Sequence, residues 1–169
     1  SYSWKRLDGR SIREELGENT NAFLTASATM VIAKEAACAL AVSAGIGGIG
    51  DIEEENLCYD LPALANLGIS LVATSPKDML DIKGTLDWLK EHGVRILGFN
   101  RDFCNGYLMV LKNIKISGEL NIGNANDLEY GCNLILNPIP EEMRIKDSSF
   151  LEEAIKSGKE AERNGHNSN

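Results

Sequence analysis

The pattern of apolar and polar positions changes its period along the chain, and each period predicts one kind of element. Predominantly apolar runs with the length of buried strands occur at residues 39–43, 69–74, 94–99 and 132–136. Apolar residues at helical spacing precede or separate these runs. The pattern therefore predicts an α/β fold with a mostly parallel sheet and helices on both of its faces. Turn-forming residues break up the stretch 100–131, for which we predict loops and short edge strands.

Three helices follow from spacing and capping signals. Small and apolar residues recur at intervals of three or four before the first strand, at Ala26, Met30, Ala33 and Ala37. A short helix is predicted from Asp60, with Asp60 as the N-cap and Pro62 in the first turn. A last helix is predicted to begin near Ser149, because Glu152 stands at capping-box spacing from it.

The segment that follows the second strand has the sequence of a helix N-terminus. Ser75 is a typical N-cap, Pro76 is tolerated in the first turn, and Asp78 places negative charge there. The helix is predicted to end at Gly93. A helix between two strands is a βαβ unit, which implies parallel pairing and a right-handed crossover.

Length and composition narrow the classes of protein to which this chain can belong. The 169 residues, 43% of them apolar, suffice for one core, so we predict a single domain over residues 1–169 with a disordered tail at 165–169. A net charge of −8 argues against a nucleic-acid partner. No apolar run is long enough to cross a bilayer, and residues 1–8 contain no apolar stretch, so we expect no signal peptide. Four cysteines without a C-x-x-C pair favour a reducing compartment over a zinc site, so we expect a cytoplasmic protein.

A glycine-rich loop, residues 45–50, satisfies the pattern G-x-G-x-x-G after a predicted strand. A dinucleotide site needs an apolar helix to follow, whereas four carboxylates lie within the next five residues, 51–55, and would repel a pyrophosphate. Two interpretations remain. Either the loop lines a small phosphate or sugar pocket, or it is a tight structural loop alone.

Several segments in this order resemble the pseudouridine-5′-phosphate glycosidase family, which includes the indigoidine synthase A-like proteins. Residues 25–33 are similar to the family's T-V-A-x-T-M-x-x-A helix start, and residues 43–48 are similar to its glycine loop. Asp60 looks like the end of its S-A-D-L motif, residues 76–81 are similar to A-K-S-I-L-D, and residues 137–142 complete the series. The resemblance covers residues 6–164, the middle half of a full-length member.

The resemblance implies reversible cleavage of the carbon–carbon bond between uracil and ribose 5-phosphate through a lysine imine. The imine-forming lysine matches Lys77, and substrate-binding positions match Arg6, Ala26, Ser43 and Asp60. The family also implies a manganese ion, whose aspartate ligand aligns with Asn56; Glu55 replaces it if the register shifts by one residue. The expected partner is a sugar phosphate or a nucleotide-like small molecule, and the expected assembly is a homo-oligomer, with a trimer favoured.

The residues alone give Lys77 some support. The sequence places it just beyond a strand and in the first turn of a helix, where open α/β sheets bind ligands. The positive end of the helix dipole disfavours an ammonium there, and an imine-forming amine must be neutral. The alternative is a solvated surface lysine.

Other positions depart from the family pattern. The family's proton-donating glutamate lies in an N-terminal segment that this sequence lacks, the family's H-R-G after the glycine loop is absent, and Cys58-Tyr59 replaces S-A. Asn56 is a poorer metal ligand than aspartate. We therefore expect glycosidase activity to be impaired in this chain alone. The alternative is a non-catalytic relative that binds sugar phosphates or supports oligomerisation.

Overall fold

A computed structural model describes residues 4–17, 19–50, 57–120, 131–147 and 149–164. Its strands are β1 (Lys5–Leu7), β2 (Ala22–Leu24), β3 (Leu40–Val42), β4 (Ser70–Ala73), β5 (Arg95–Phe99), β6 (Phe103–Cys104), β7 (Ile114–Lys115), β8 (Gly118–Leu120) and β9 (Asn133–Leu136). Its helices are α1 (Ile12–Glu15), α2 (Ala26–Glu35), α3 (Asp60–Asn66), α4 (Ile82–Glu91) and α5 (Ser149–Arg163), with a 3-10 turn at Glu141–Met143. The predicted tail at 165–169 lies outside the described residues.

Five of the described strands form the main sheet, in the order β3-β4-β9-β5-β8, and each neighbouring pair is parallel. The four strands predicted from apolar runs are β3, β4, β5 and β9. The prediction of a mostly parallel sheet is therefore confirmed. β8 adds an edge strand within the stretch where loops and short edge strands were predicted.

The main core lies on one face of this sheet. Leu71 of β4 pairs in register with Leu134 of β9, so both side chains point to the same face. Met30 of α2, Leu64 of α3 and Leu89 of α4 pack in the same fully buried cluster. Burial of each such side chain contributes about 1.5–3 kcal/mol. This packing holds α2, α3 and α4 side by side on one face.

The opposite face carries a smaller cluster. Leu97, Leu120 and Ile135 are buried there, and no described helix contributes a residue to their cluster. Toward the β3 edge the same face opens to solvent, where the side chain of Val42 is 65% exposed. The prediction of helices on this second face stays a prediction.

Helix α4 begins later than the sequence predicted. Its N-cap is Asp81, whose carboxylate accepts a hydrogen bond from the backbone N–H of Gly84 at 2.9 Å. Ser75 cannot cap a helix because its side chain is fully buried, with Oγ 3.3 Å from Sγ of Cys104. Pro76 instead forms a parallel bridge with Ile46, which continues the pairing of β3 and β4 beyond their ends. The predicted helix start at residues 75–78 is therefore wrong.

The remaining elements surround this sheet. β1 and β2 form a parallel pair next to α1, and Leu7, Ile12 and Val31 form a second buried cluster between them and α2. β6 and β7 form an antiparallel pair. Helix α5 begins at Ser149, near the predicted position. Ser149 is the first residue of the helix and not its cap, and its N–H and its hydroxyl donate to the carboxylate of Asp147 at 3.0 Å and 2.7 Å.

Candidate functional site

Two loops leave the carboxyl ends of β3 and β4 side by side. The N–H of Thr74 donates to the carbonyl of Ala44 at 2.9 Å, and the N–H of Lys77 donates to the carbonyl of Ile46 at 3.2 Å. These bonds join residues 43–50, the glycine loop and its approach, to residues 74–78. Parallel α/β sheets bind ligands at this edge, and Lys77, which the sequence pattern placed just beyond a strand, lies there.

Asp60 connects three parts of the site. One oxygen of its carboxylate accepts from the N–H of Ser27 at 2.8 Å, and the other accepts from the N–H of Gly47 at 2.9 Å. Asp60 is only 5% exposed. A carboxylate at the first turn of α2 is favoured by the helix dipole and by the otherwise unpaired N–H groups there. The side chain thus fixes the glycine loop against the start of α2.

The predicted capping role of Asp60 is wrong. Tyr59 occupies the N-cap position of α3, and Asp60 is the first residue of the helix, without a capping bond to its own helix. Its carboxylate is used for the contacts with Ser27 and Gly47 instead. A carboxylate stabilises the fold more when it accepts hydrogen bonds from two backbone N–H groups away from solvent than when it caps a helix end near solvent.

The glycines of the loop are required by close packing. A Cβ at Gly47 would collide with the Cys58 side chain, and a Cβ at Gly48 would collide with Thr85. Thr85 Oγ1 also accepts from the N–H of Ile49 at 3.0 Å. The N–H groups of Ile46, Gly47 and Ile49 therefore already have protein partners. This favours a structural role for much of the loop, while its use as part of a phosphate pocket stays a prediction.

Cys58 packs against Gly47 of the glycine loop, and Tyr59 packs against Gly9. Burial raises the pKa of the Cys58 thiol, and the charge of Asp60 raises it further, so the thiol is neutral at pH 7. The Tyr59 ring lies 5.1 Å from the guanidinium carbon of Arg10, at cation–π distance.

The predicted site residues divide into buried and exposed groups. Ala26 is buried at the start of α2, where Thr25 is the N-cap, and Ser43 is half-buried with its hydroxyl donating to the carbonyl of Gly45 at 3.0 Å. Arg6 and Lys77 are exposed. Lys77 precedes α4 by a full turn, so the dipole argument for a neutral amine no longer applies.

Sequence reasoning missed the role of Asp78. Its carboxylate accepts three backbone N–H groups, from Tyr107 at 2.6 Å, Leu108 at 2.8 Å and Met109 at 2.9 Å. Gly106 precedes them with a φ of +100°, and a Cβ there would meet the Asp78 carboxylate. Asp78 thereby holds a distant loop against the segment that carries Lys77. The Asn105-Gly106 turn signal was visible in the sequence, but its partner was not.

Arg10 was also missed as a member of the site. Its guanidinium donates twice to one oxygen of Asp8, from Nε at 3.1 Å and from Nη2 at 2.6 Å. This pairing lowers the pKa of Asp8. The ion pair fixes Arg10 over the Tyr59 ring, whose neighbour Cys58 packs against the glycine loop.

The expected metal ligands cannot be placed. Glu55 and Asn56 lie outside the described residues, and among the described residues no group of three or more His, Cys, Asp or Glu side chains could hold a metal ion. Manganese therefore stays an expectation from the resemblance. Over the same part of the chain, no helix is long and apolar enough to cross a membrane.

Comparisons with known proteins agree with the fold and with the motif series. Pseudouridine-5′-phosphate glycosidase from Caldanaerobacter subterraneus subsp. tengcongensis is 33% identical over 168 residues, which are 92% of this chain and 54% of that protein. The protein of the same name from Alkaliphilus metalliredigens is 32% identical over 152 residues, 83% of this chain and 49% of that protein. The chain thus spans about half the length of the curated relatives it matches.

Two solved structures share the fold. An indigoidine synthase A-like protein from Thermotoga maritima superposes with a TM-score of 0.77 at 22% identity, over 91% of this chain and 55% of that one. The prealnumycin C-glycosynthase AlnA, in complex with ribulose 5-phosphate, superposes with a TM-score of 0.78 at 21% identity, over 96% of this chain and 57% of that one. The family model described as indigoidine synthase A like protein matches residues 3–169. The predicted resemblance is confirmed, and the chain belongs to the indigoidine synthase A-like protein family.

Proposed function

We propose that this chain binds a sugar phosphate at the carboxyl edge of its sheet and supports pseudouridine-5′-phosphate glycosidase-type chemistry through Lys77. The observation that carries the proposal is the pairing of the Lys77 segment with the glycine loop, which Asp60 in turn fixes to the start of α2. The relatives named pseudouridine-5′-phosphate glycosidase support it, as does a related fold that holds ribulose 5-phosphate.

The proposed reaction requires one new bond to the sugar. The Nζ lone pair of Lys77 attacks the anomeric carbon, the ring oxygen leaves, and the ring opens. The bond from that carbon to C5 of uracil then breaks, its electron pair goes to C5, and C5 takes up a proton. The product is an imine of ribose 5-phosphate, which water hydrolyses to the free sugar and the amine.

The other residues would orient the sugar phosphate. Arg6 is exposed, and its positive charge suits the phosphate of the substrate. Ser43 and Asp60 retain oxygen lone pairs that accept hydrogen bonds from sugar hydroxyls. Ala26 contributes the backbone at the start of α2. No described residue stands in a position shown to protonate uracil, and we therefore expect slow turnover by this chain alone.

A non-catalytic sugar-phosphate binder is the second candidate. It is favoured by Cys58 and Tyr59, whose side chains are bulkier than the family's serine and alanine and pack against the glycine loop and Gly9. We also propose a cytoplasmic homo-oligomer, with a trimer favoured by analogy to the family. Exposed apolar side chains such as Trp4, Phe23 and Val42 support an oligomer.

Binding and turnover separate the two candidates. In amide NMR spectra, ribose 5-phosphate should shift the signals of residues 43–48 and 74–78, while ribose alone should shift them less. Cleavage of pseudouridine 5′-phosphate should be slower than family chemistry by about two orders of magnitude or more, because a general acid typically contributes about 10²–10⁴-fold. Shifts without turnover support the binder; the absence of shifts at this edge contradicts both candidates.

A further inference from the structure

A pair of arginines converges on one neutral oxygen at the same edge of the sheet. Nη1 of Arg101 lies 3.2 Å from Oδ1 of Asn105, and Nη1 of Arg144 lies 2.9 Å from the same atom. The two guanidinium groups are therefore neighbours across a single amide oxygen. Neither of them forms an ion pair with a carboxylate among the described residues.

Arg144 is the more unusual of the two because it is buried. It is 5% exposed, its Nε donates to the carbonyl of Ile139 at 2.8 Å, and its Nη1 also donates to the carbonyl of Asn105 at 3.2 Å. Its Nη2 is buried and has no hydrogen-bond partner. A buried charge with an unused donor is costly unless an anion compensates it.

The fold builds this pair from neighbouring strands. Arg101 follows β5 through a tight turn in which Asn100 adopts a φ of +57° and Arg101 bridges back to Gly98. Arg144 follows β9, which lies beside β5 in the sheet. Thr74, which follows β4 on the other side of β9, lines a shallow hollow together with Arg101 and Asn105. Thr74 and Arg101 thus meet beyond the carboxyl ends of the sheet, and Arg144 contacts the Asn105 side chain beside them.

We propose that Arg101, Arg144 and Asn105 form an oxyanion site that takes a phosphate group. An anion between the two guanidinium groups accepts from the unused Nη2 of Arg144 and from Arg101, and it neutralises the repulsion between the two positive charges. The ring of Phe103, 5.0 Å from the guanidinium carbon of Arg101, holds that side chain in place. The site is separate from Arg6, which the proposed function assigns to the substrate.

The source of the phosphate group is either a free phosphate or a sugar phosphate. Only the second source rests on the proposed function. Thr74 lies beside Arg101 and Asn105 and three residues before Lys77, so a sugar phosphate that binds the arginines, in place of Arg6, has its sugar on the side of the Lys77 segment. Inorganic phosphate alone tests the anion site without any imine chemistry.

The test is isothermal titration with inorganic phosphate, against chloride at matched ionic strength. The wild type should bind phosphate more strongly than chloride, and Arg101→Gln should bind phosphate about tenfold more weakly than the wild type, since a charge-assisted hydrogen bond is lost. Lys83→Gln, which removes the same charge from an exposed position on α4, should bind like the wild type. Arg101 is partly exposed, so this variant should fold even if Arg144→Gln does not.

Two results would overturn the proposal. One is wild-type phosphate binding no stronger than that of chloride, and the other is unchanged binding by a folded Arg101→Gln variant. A second titration, with ribose 5-phosphate and ribose in the Lys77→Ala background, distinguishes the sources. If ribose 5-phosphate binds more tightly than inorganic phosphate, and if Arg101→Gln weakens that binding, the sugar phosphate is the ligand of the arginine site. Phosphate binding by the arginines does not require an imine at Lys77. A negative result for the imine therefore does not contradict the phosphate site, and a negative result for phosphate does not contradict the imine.

Discussion

The carboxylate of Asp60 accepts the backbone N–H of Gly47 at 2.9 Å, and this bond fixes the glycine loop in the fold. A Cβ at Gly47 would meet the side chain of Cys58 and approach Asp60 itself. The loop is therefore tight because its neighbours fill the space around it. Asp60 also accepts from Ser27, so one side chain couples the loop to α2.

Asp60→Asn should destabilise the fold. An amide offers one acceptor oxygen and turns its NH₂ group toward the second backbone donor, so one buried N–H loses its partner. The free energy of unfolding should fall by about 1–3 kcal/mol. Urea denaturation at pH 7 measures the change, and Asp102→Asn, at an exposed aspartate, is the matched control. Equal stability of both variants would contradict the role assigned to Asp60.

Asp78→Asn should loosen the loop that follows Gly106. The carboxylate accepts three backbone N–H groups, and a neutral amide cannot satisfy them all. Hydrogen exchange at Tyr107, Leu108 and Met109 should accelerate about tenfold or more, while amides of the sheet stay protected. If the three amides keep wild-type protection, Asp78 does not anchor this loop.

The reactivity of the cysteines should differ in a defined order. Cys38 is exposed, whereas Cys58 is partly buried and its pKa is raised by burial and by Asp60. Because the thiolate is the nucleophile, a disulfide reagent at pH 8 should modify Cys38 first and Cys58 much later. The rate at Cys58 should keep rising with pH above the ordinary thiol pKa of 9.0. Faster modification of Cys58 than of Cys38 would contradict the described packing.

Asp8 should stabilise the fold only when it is ionised. Hydrogen bonds with the Arg10 side chain lower its pKa below the ordinary value of 3.8, so its contribution is present above 3.8 and is lost as the pH falls through the lowered pKa. Asp8→Asn should therefore have a lower Tm than the wild type at pH 7, and the two Tm values should converge in acid. The difference should be small because the Arg10 partner is exposed to solvent. A gap in Tm that persists below the lowered pKa would refute the ion-pair explanation.

The strands were predictable from the sequence because their signals are local. Residues 69–74 and 132–136 form apolar runs that no exposed helix would tolerate, and the observed strands lie within them. The helix start at residues 75–78 was not predictable, because Ser75 is buried against Cys104, a residue distant in sequence. Local propensity favours a cap there, and tertiary packing overrides it.

The candidate site was predictable in its location but not in its contacts. The sequence placed Lys77 just beyond the end of a strand, where the structure has it, and the resemblance assigned Asp60 to the same site; both residues contact the glycine loop. The partners of Asp60 and Asp78 lie far along the chain, so no local pattern reveals them. The same holds for Arg144, whose burial depends on a loop that folds back onto Asn105.

Borohydride trapping tests the central proposal, imine formation by Lys77, most directly. The protein is incubated with ribose 5-phosphate, reduced with borohydride and analysed by intact mass and peptide mapping. One sugar phosphate should be attached per chain, at Lys77, and the adduct should be absent from Lys77→Ala but retained by Lys112→Ala, which removes another exposed lysine. An adduct distributed over several lysines, or no adduct in a correctly folded wild type, would contradict the account.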